Sequence, residues 1–504
     1  MPRTALLLSA ALIGISAIGP ALCSEADFNQ TYRPQFHFSP QQHWTNDPNG
    51  PVFFEGEYHL FFQYNPLGDV WGHMSWGHAV SRDLIHWEEL PVALPEENGV
   101  MIFTGSTVID YHNTSGFCKA GKACMVAIYT GYTAESAGKK SLQTQNIAYS
   151  NDRGRTWTKY SGNPVLDLHM TDFRDPKVLW SKESNQWVMA VSLPNDHKIQ
   201  FYGSPDLKTW KALSEFGPAG ATSGQWECPE LFQLPVEGKL GETRWVMKVG
   251  LNPGALQGGS GEQYFVGQFD GKGFKNDNPA SLTLWTDYGK DCYCALAFNN
   301  MPKTRSPVMI GWMSNWQYAD KLPTSPWRGQ MTLPRKLTLR ETTDGIRLLQ
   351  APVDELKILA GKTQTISTKK DTPLKTETYQ LRSTVDLGEA TEAGWKILSA
   401  DGTYTLVGYD KEKGRLFVDR THSGTAQIND KFPARVEAPL VVKGPLVLDL
   451  MVDRSSIEVF ADNGAVTMTN LVYPDAGAQT LQFYRKGGRE GAVRASLTEL
   501  TSAH

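Results

Sequence analysis

Residues 58–63 read YHLFFQ, 125–130 MVAIYT, 187–192 WVMAVS, 245–250 WVMKVG and 308–313 VMIGWM. Each is a short run of aromatic and β-branched residues, the composition that favours an extended, well-covered strand. Successive runs start 67, 62, 58 and 63 residues apart. A second element echoes behind the first three: SRDLIHW from Ser81 to Trp87, SNDRGRTW from Ser150 to Trp157 and SPDLKTW from Ser204 to Trp210. Each is an Asp-bearing turn closed by a Trp. A period near 60 residues with several short strands per unit is the signature of radial repetition, and five copies predict a five-bladed β-propeller. The competing reading is a plain β-sandwich whose strands are alike only in composition; the near-even spacing argues against it. In a radial arrangement the inner strands line a central cavity, so chemistry is expected on or beside them.

The pattern changes after about Leu349. Thr, Lys and Asp crowd residues 361–374, and Trp395 is the only Trp beyond Trp327. Alternating strands then run to the end, among them 403–410, 446–453 and 456–462, the last two joined by Asp453-Arg454-Ser455-Ser456. The chain therefore reads as all-β: a five-bladed propeller over 24–350, a linker over 351–370 and a C-terminal β-sandwich over 371–504.

Residues 1–23 read as a secretory signal. Arg3 precedes an apolar stretch from Ala5 to Ile18 that is too short to span a membrane, and Ala21-Leu22-Cys23 supplies small residues at the cleavage site. A lipid anchor on Cys23 is the rival, but Leu22 stands where such a signal calls for a small residue. The expected location is secreted, extracellular or periplasmic. With 504 residues, the chain suits two to four domains. Its 49 basic and 53 acidic residues leave a net charge of −4 with no basic block, which argues against nucleic acid or an anionic membrane as partner. Five cysteines remain beyond residue 23, allowing at most two disulfides and one free thiol. Cys118 and Cys124 flank a short loop as a plausible staple, whereas Cys292 and Cys294 alternate on one strand and pair awkwardly with each other. No metal-ligand spacing occurs, and neither metal nor cofactor is expected.

Three acidic residues sit in unusual contexts, each just before one of the recurring runs. Asp47 lies in Trp44-Thr45-Asn46-Asp47-Pro48-Asn49-Gly50, Asp175 in Phe173-Arg174-Asp175-Pro176, and Glu227 in Gln225-Trp226-Glu227-Cys228-Pro229. Read alone, an Asp between Asn and Pro is a turn former. Read together, equivalent positions of different blades converge on one cavity, where carboxylates desolvated side by side repel and are costly as bare structure. Trp44, Gln63, Trp71, Trp76, Phe103, Trp226, Trp312 and Trp316 are expected around them, with amides for sugar hydroxyls and rings for C–H faces. Two carboxylates supply what glycosidic cleavage needs. Asn46 and nearby N–H groups are expected to keep Asp47 ionised, Arg174 to keep Asp175 charged, and the apolar neighbours of Glu227 to favour its protonated form. His73, His78 and His86 read as structural hydrogen bonders, and Asn29 and Asn113 as acceptors in glycosylation triplets.

These motifs resemble glycoside hydrolase family 32. Trp44 to Gly50 is similar to its W-M-N-D-P-N-G box, with Thr45 for Met, Arg174-Asp175-Pro176 to its R-D-P motif and Glu227-Cys228 to its E-C motif. Phe62 to Pro66, Trp76 to Ala79, Phe103 to Ser106, Asp287 to Asp291 and Asp453 to Phe460 extend the likeness over nearly the whole chain. The resemblance implies retaining hydrolysis of β-fructofuranosides such as levan, inulin and sucrose, by an exo-acting enzyme of levanase, exo-inulinase or invertase type. It implies Asp47 as nucleophile, Glu227 as acid/base and Asp175 as the transition-state stabiliser. Asn46, Gln63, Trp71, Phe103, Thr104, Arg174 and Trp316 would bind the terminal fructose, with Asp287, Lys290 and Asp291 near the aglycone. Endo-acting members often carry Glu where Asp47 stands, so Asp47 implies exo action. The rivals are a fructosyltransferase using the same covalent intermediate, a non-catalytic fructan-binding propeller, and a glycosidase of arabinose-type furanosides.

Overall fold

All five recurring runs form the second strand of a sheet, and the reason lies in what covers them. The structure, a computed structural model, describes residues 28–504 other than 120, 137, 139, 425, 426 and 476, so the signal segment lies outside the described residues. Residues 43–352 build five antiparallel sheets. Their leading strands are His43–Phe54, Val100–Asp110, Arg174–Ser181, Gln225–Pro235 and Tyr293–Ala297. Each is followed by a second strand carrying one of the runs: Glu57–Asn65, Cys124–Thr133, Gln186–Leu193, Thr243–Asn252 and Val308–Trp312.

A strand with one face in water alternates apolar and polar residues; these runs do not, because both faces are buried. In 187–192, Met189 and Val191 join Val126 and Ile128 of the second sheet, while Val188 and Ala190 join Met247 and Val249 of the fourth. The other contacts follow suit. Phe61 meets Met125 and Ala127 between sheets one and two, Val246 meets Met309 between four and five, and Leu60 and Phe62 meet Val308 and Ile310 between five and one. The five sheets thus pack in a cycle, each leading strand against the next and the fifth against the first. Trp327–Arg328 closes it, running parallel to the leading strand of the first sheet.

The Asp-bearing turns follow the third strand of sheets one to three and are built alike. Asp83, Asp152 and Asp206 each accept backbone N–H groups two to four residues on. The indoles of Trp87, Trp157 and Trp210 each donate to the carbonyl three residues back. The repeat is therefore a closing turn and not part of the cavity.

The C-terminal part is two six-stranded sheets around one core, in which Leu381 and Leu450 of one sheet meet Trp395 and Val407 of the other. Where only the inner face is buried the residues alternate, as in Tyr379–Val385, whereas Ser456–Ala461 and Val466–Leu471 are buried throughout. Residues 351–370, expected as a linker, instead contain a 3₁₀ turn at Asp354–Leu359 and a strand, Ala360–Thr365, paired with the last strand, Val493–Leu500. That strand is exposed and rich in Thr and Lys because it lies at a sheet edge, where polar residues discourage further pairing. No helix among the described residues is long and apolar enough to cross a membrane.

Buried ion pairs join the two parts. Asp453 accepts from the backbone N–H groups of Gln35 and Phe36, and His37 bridges Asp453 at 2.8 Å and Glu458 at 3.1 Å. Burial lowers the pKa of His37, but these two carboxylates outweigh it and push it up to about 9, which keeps the imidazole cationic between them. Arg335 spans Glu458 at 2.8 Å and Asp287 at 2.9 Å, and Arg420 of the sandwich holds Asp291 at 2.5 Å. Removing one partner of such a pair leaves a buried charge uncompensated, at a cost of about 3–5 kcal/mol. Arg335→Gln is accordingly expected to lower thermal stability by about that amount, whereas Arg340→Gln, whose pair with Glu237 is exposed, should change it by less than about 1 kcal/mol. Calorimetry of both variants checks this.

Candidate active site

Every leading strand breaks register with its partner where it faces the centre of the ring: between Thr45 and Pro48, Ile102 and Gly105, Arg174 and Lys177, Glu227 and Glu230, and Tyr293 and Leu296. Such bulges bend a strand and re-aim its side chains. Asp175, Cys228 and Cys294 take left-handed backbone conformations there, with φ of 66°, 48° and 46°, strain that a packed surrounding must hold in place. The five bulges bring together the residues singled out from sequence.

They surround one cavity of about 410 Å³, lined by Asn46, Asp47, Gln63, Trp71, Phe103, Thr104, Arg174, Asp175, Glu227 and Trp316. Trp71 stands at its mouth, 43% exposed. Trp44, Trp76, Trp226 and Trp312, expected to accompany the carboxylates, are buried and do not line the cavity; Trp44 and Trp312 pack against Trp316. Asp287, Lys290 and Asp291, implied near the aglycone, are buried and absent from the lining; Asp287 pairs with Arg335 and accepts from the Thr469 N–H of the sandwich, and Asp291 pairs with Arg420 of the sandwich. His73, His78 and His86 hydrogen-bond Glu96, His59 and Asp83.

Tyr293, Gln143 and Asp172 also line the cavity and were missed in the sequence. The Tyr293 hydroxyl donates to Glu227 Oε2. Gln143 Oε1 accepts from the Phe173 N–H, and Asp172 pairs with Arg174 at 2.9 Å. The recurring runs mark second strands, so the leading strand of the fifth sheet, with no acidic residue at its bulge, went unnoticed. The signal was the step itself: Tyr293 precedes the run at 308–313 as Glu227 precedes that at 245–250.

Two disulfides form, Cys118–Cys124 as the spacing suggests, and Cys228–Cys294; Cys292 is a buried free thiol. Among the described residues, one group of metal-ligating atom types gathers within 4.8 Å: Asp47, Cys228 and Cys294. Both sulfurs of that group are engaged in the disulfide.

The electrostatics correct three expectations. The Arg174 guanidinium turns toward Glu227, reaching Oε1 from Nε at 3.1 Å and Nη2 at 2.8 Å, so Glu227 sits in an ion pair and not in an apolar setting. Neighbours in sequence point apart along a strand, and apolar Trp226 and Cys228 therefore say little about what faces the Glu227 carboxyl. Arg174 does lower Asp175, but burial outweighs it and pushes Asp175 up to about 7. Burial, followed by the charge of Asp175, likewise pushes Asp47 up to about 7, against the Thr104 hydroxyl that donates to Oδ2 at 2.8 Å. Asn46 tempers that rise, yet its amide makes no well-formed hydrogen bond to Oδ1, which has no partner among the described residues. Asp47 and Asp175 thus titrate near neutrality as an interacting pair.

A carboxylate raised in the folded state leaves stability untouched below its unfolded value near 3.8 and lowers it increasingly as pH rises toward 7. Asp47→Asn removes that penalty. Its melting temperature should match the wild type at pH 4 and exceed it at pH 8, where the gain in stability is on the order of a few kcal/mol. Equal melting temperatures at pH 8 would contradict this electrostatic account.

Comparison with known proteins places this geometry. Residues 37–352 match the model of the glycosyl hydrolases family 32 N-terminal domain, and residues 349–502 that of the glycosyl hydrolases family 32 C terminal. The chain is 47% identical over 487 residues to a levanase of Bacillus subtilis (strain 168), covering 94% of this chain and 70% of that protein. It is 41% identical over 516 residues to an extracellular exo-inulinase of Aspergillus awamori, covering 94% and 96%. The crystal structure of an exo-inulinase from Aspergillus awamori superposes with a TM-score of 0.88 at 40% identity, over 95% of this chain and 100% of that one. A β-fructofuranosidase of Schwanniomyces occidentalis complexed with fructosyl-erythritol gives 0.85 at 33%, over 94% and 99%. The chain belongs to glycosyl hydrolase family 32.

Proposed function

We propose that this chain is a secreted, exo-acting β-fructosidase that releases terminal fructose from fructans such as levan and inulin and from sucrose, with retention at the anomeric carbon. The five sheets are the blades of a five-bladed propeller, a reading supported by the cycle of contacts between leading strands. Secretion is supported by the apolar stretch from Ala5 to Ile18. One observation carries the catalytic reading: three carboxyls from three different leading strands meet in one cavity with amides and rings.

The reaction uses them in two displacements. In the first, Asp47 Oδ1 forms a bond to the anomeric carbon of the terminal fructose. The bond from that carbon to the glycosidic oxygen breaks, and its electron pair goes to the leaving oxygen, which takes a proton from Glu227. In the second, Glu227 accepts a proton from water, whose oxygen bonds to the anomeric carbon and releases Asp47. Asp175 accepts hydrogen bonds from fructose hydroxyls, and its charge opposes the positive charge that develops on the ring. Positive charge developing at the anomeric carbon favours the anionic form of Asp47 beside it.

Product analysis on sucrose, inulin and levan tests this reading. The wild type should give fructose alone; Asp47→Ala should be inactive, and Glu227→Ala slower by about 10²–10⁴-fold. Oligosaccharides in excess of free fructose at high sucrose would assign transfer instead of hydrolysis. Retained activity in Asp47→Ala would overturn the site.

A further inference from the structure

Tyr293 is the fifth-sheet counterpart of Arg174 and Glu227, the residue just before the bulge of its leading strand. Its ring is buried in the cluster that holds Trp44, Cys228 and Trp312, and its hydroxyl faces the cavity. A buried phenol is costly without a partner, and packing alone would be served as well by Phe. The hydroxyl has one: it donates to Glu227 Oε2, while Arg174 takes Oε1. Both oxygens of Glu227 are thereby engaged, which fixes the plane of the carboxyl. Burial and the nearby carboxylates hold the phenol far above its ordinary range, so it stays a donor.

Two further features serve this one contact. Glu227 and Tyr293 lie on strands of different sheets, so no backbone ladder sets them opposite each other. The disulfide between the residues that follow them, Cys228 and Cys294, ties the strands at that point with a Cα separation of 5.4 Å. Gly250, opposite Glu227 on the second strand of the fourth sheet, leaves room for the ring: a Cβ there would stand 3.0 Å from Tyr293 Cε2. A glycine inside a strand marks such a close approach.

We propose that Tyr293 is a positioning residue for proton transfer by Glu227, holding the carboxyl where it can reach the leaving oxygen. The inference rests on the reading of Glu227 as the acid. A leaving group that departs without protonation should not need Tyr293, while a sugar alcohol should. The experiment compares kcat/KM, which reports the first displacement, on sucrose and on nitrophenyl β-D-fructofuranoside for the wild type, Tyr293→Phe and Glu227→Gln, with the melting temperature of each. Tyr293→Phe is expected to lose about 10- to 100-fold on sucrose, mostly in kcat, and less than about threefold on the nitrophenyl substrate. Equal losses on both substrates, or none on sucrose, would overturn the proposal. Glu227→Gln separates the two readings. If it shows the leaving-group-selective loss and Tyr293→Phe does not, only the role of Tyr293 fails; if Glu227→Gln loses equally on both, the acid assignment fails as well.

Discussion

Each of the five N-terminal sheets buries both of its faces against its neighbours, and the rest of the molecule follows from that. A sheet covered on both sides has no polar face to offer water, so its second strand is a continuous apolar run. Polar side chains can then gather at the edge where the leading strands meet, and a regular pleat there would turn every other side chain back into the apolar clusters. The bulges resolve the conflict. An interruption in each leading strand turns Asp47, Thr104, Asp175, Glu227 and Tyr293 toward a common space.

The same convergence has an electrostatic cost. Carboxyls brought together out of water repel, and burial raises both Asp47 and Asp175. The fold offsets this in two ways. Arg174 spreads its charge over Glu227 and Asp172, and protons shared within the cluster lower its net charge near neutrality. The proposed reaction draws on the second way, since there one carboxyl acts as an anion while another delivers a proton. The sandwich reaches the segment leading into Tyr293 through the Thr469 N–H, which donates to Asp287, and through Arg420, which pairs with Asp291.

Much of this was legible in the sequence because repetition and motif identity are local. The five runs marked five sheets, and three acidic motifs marked three strands of the cavity. What was not legible is what depends on direction across the ring. Arg174 adjoins Asp175 in the chain yet pairs with Glu227 on another sheet. Trp226 adjoins Glu227 yet is buried among the apolar side chains between the third and fourth sheets. Residues 351–370 read as a linker because the edge strand within them, Ala360–Thr365, carries no apolar alternation. Tyr293 was hidden because an isolated Tyr between two cysteines has no pattern of its own. Only the contact with Glu227 gives it meaning.

In the proposed reaction Asp47 attacks the anomeric carbon directly and Glu227 serves it from the opposite side, so that two inversions restore the starting configuration. Proton NMR during the first turnovers on sucrose, faster than mutarotation, reads the anomer of fructose as it leaves. β-Fructofuranose as the first product is the result this account predicts; α-fructofuranose would mean a single displacement by water and would contradict it.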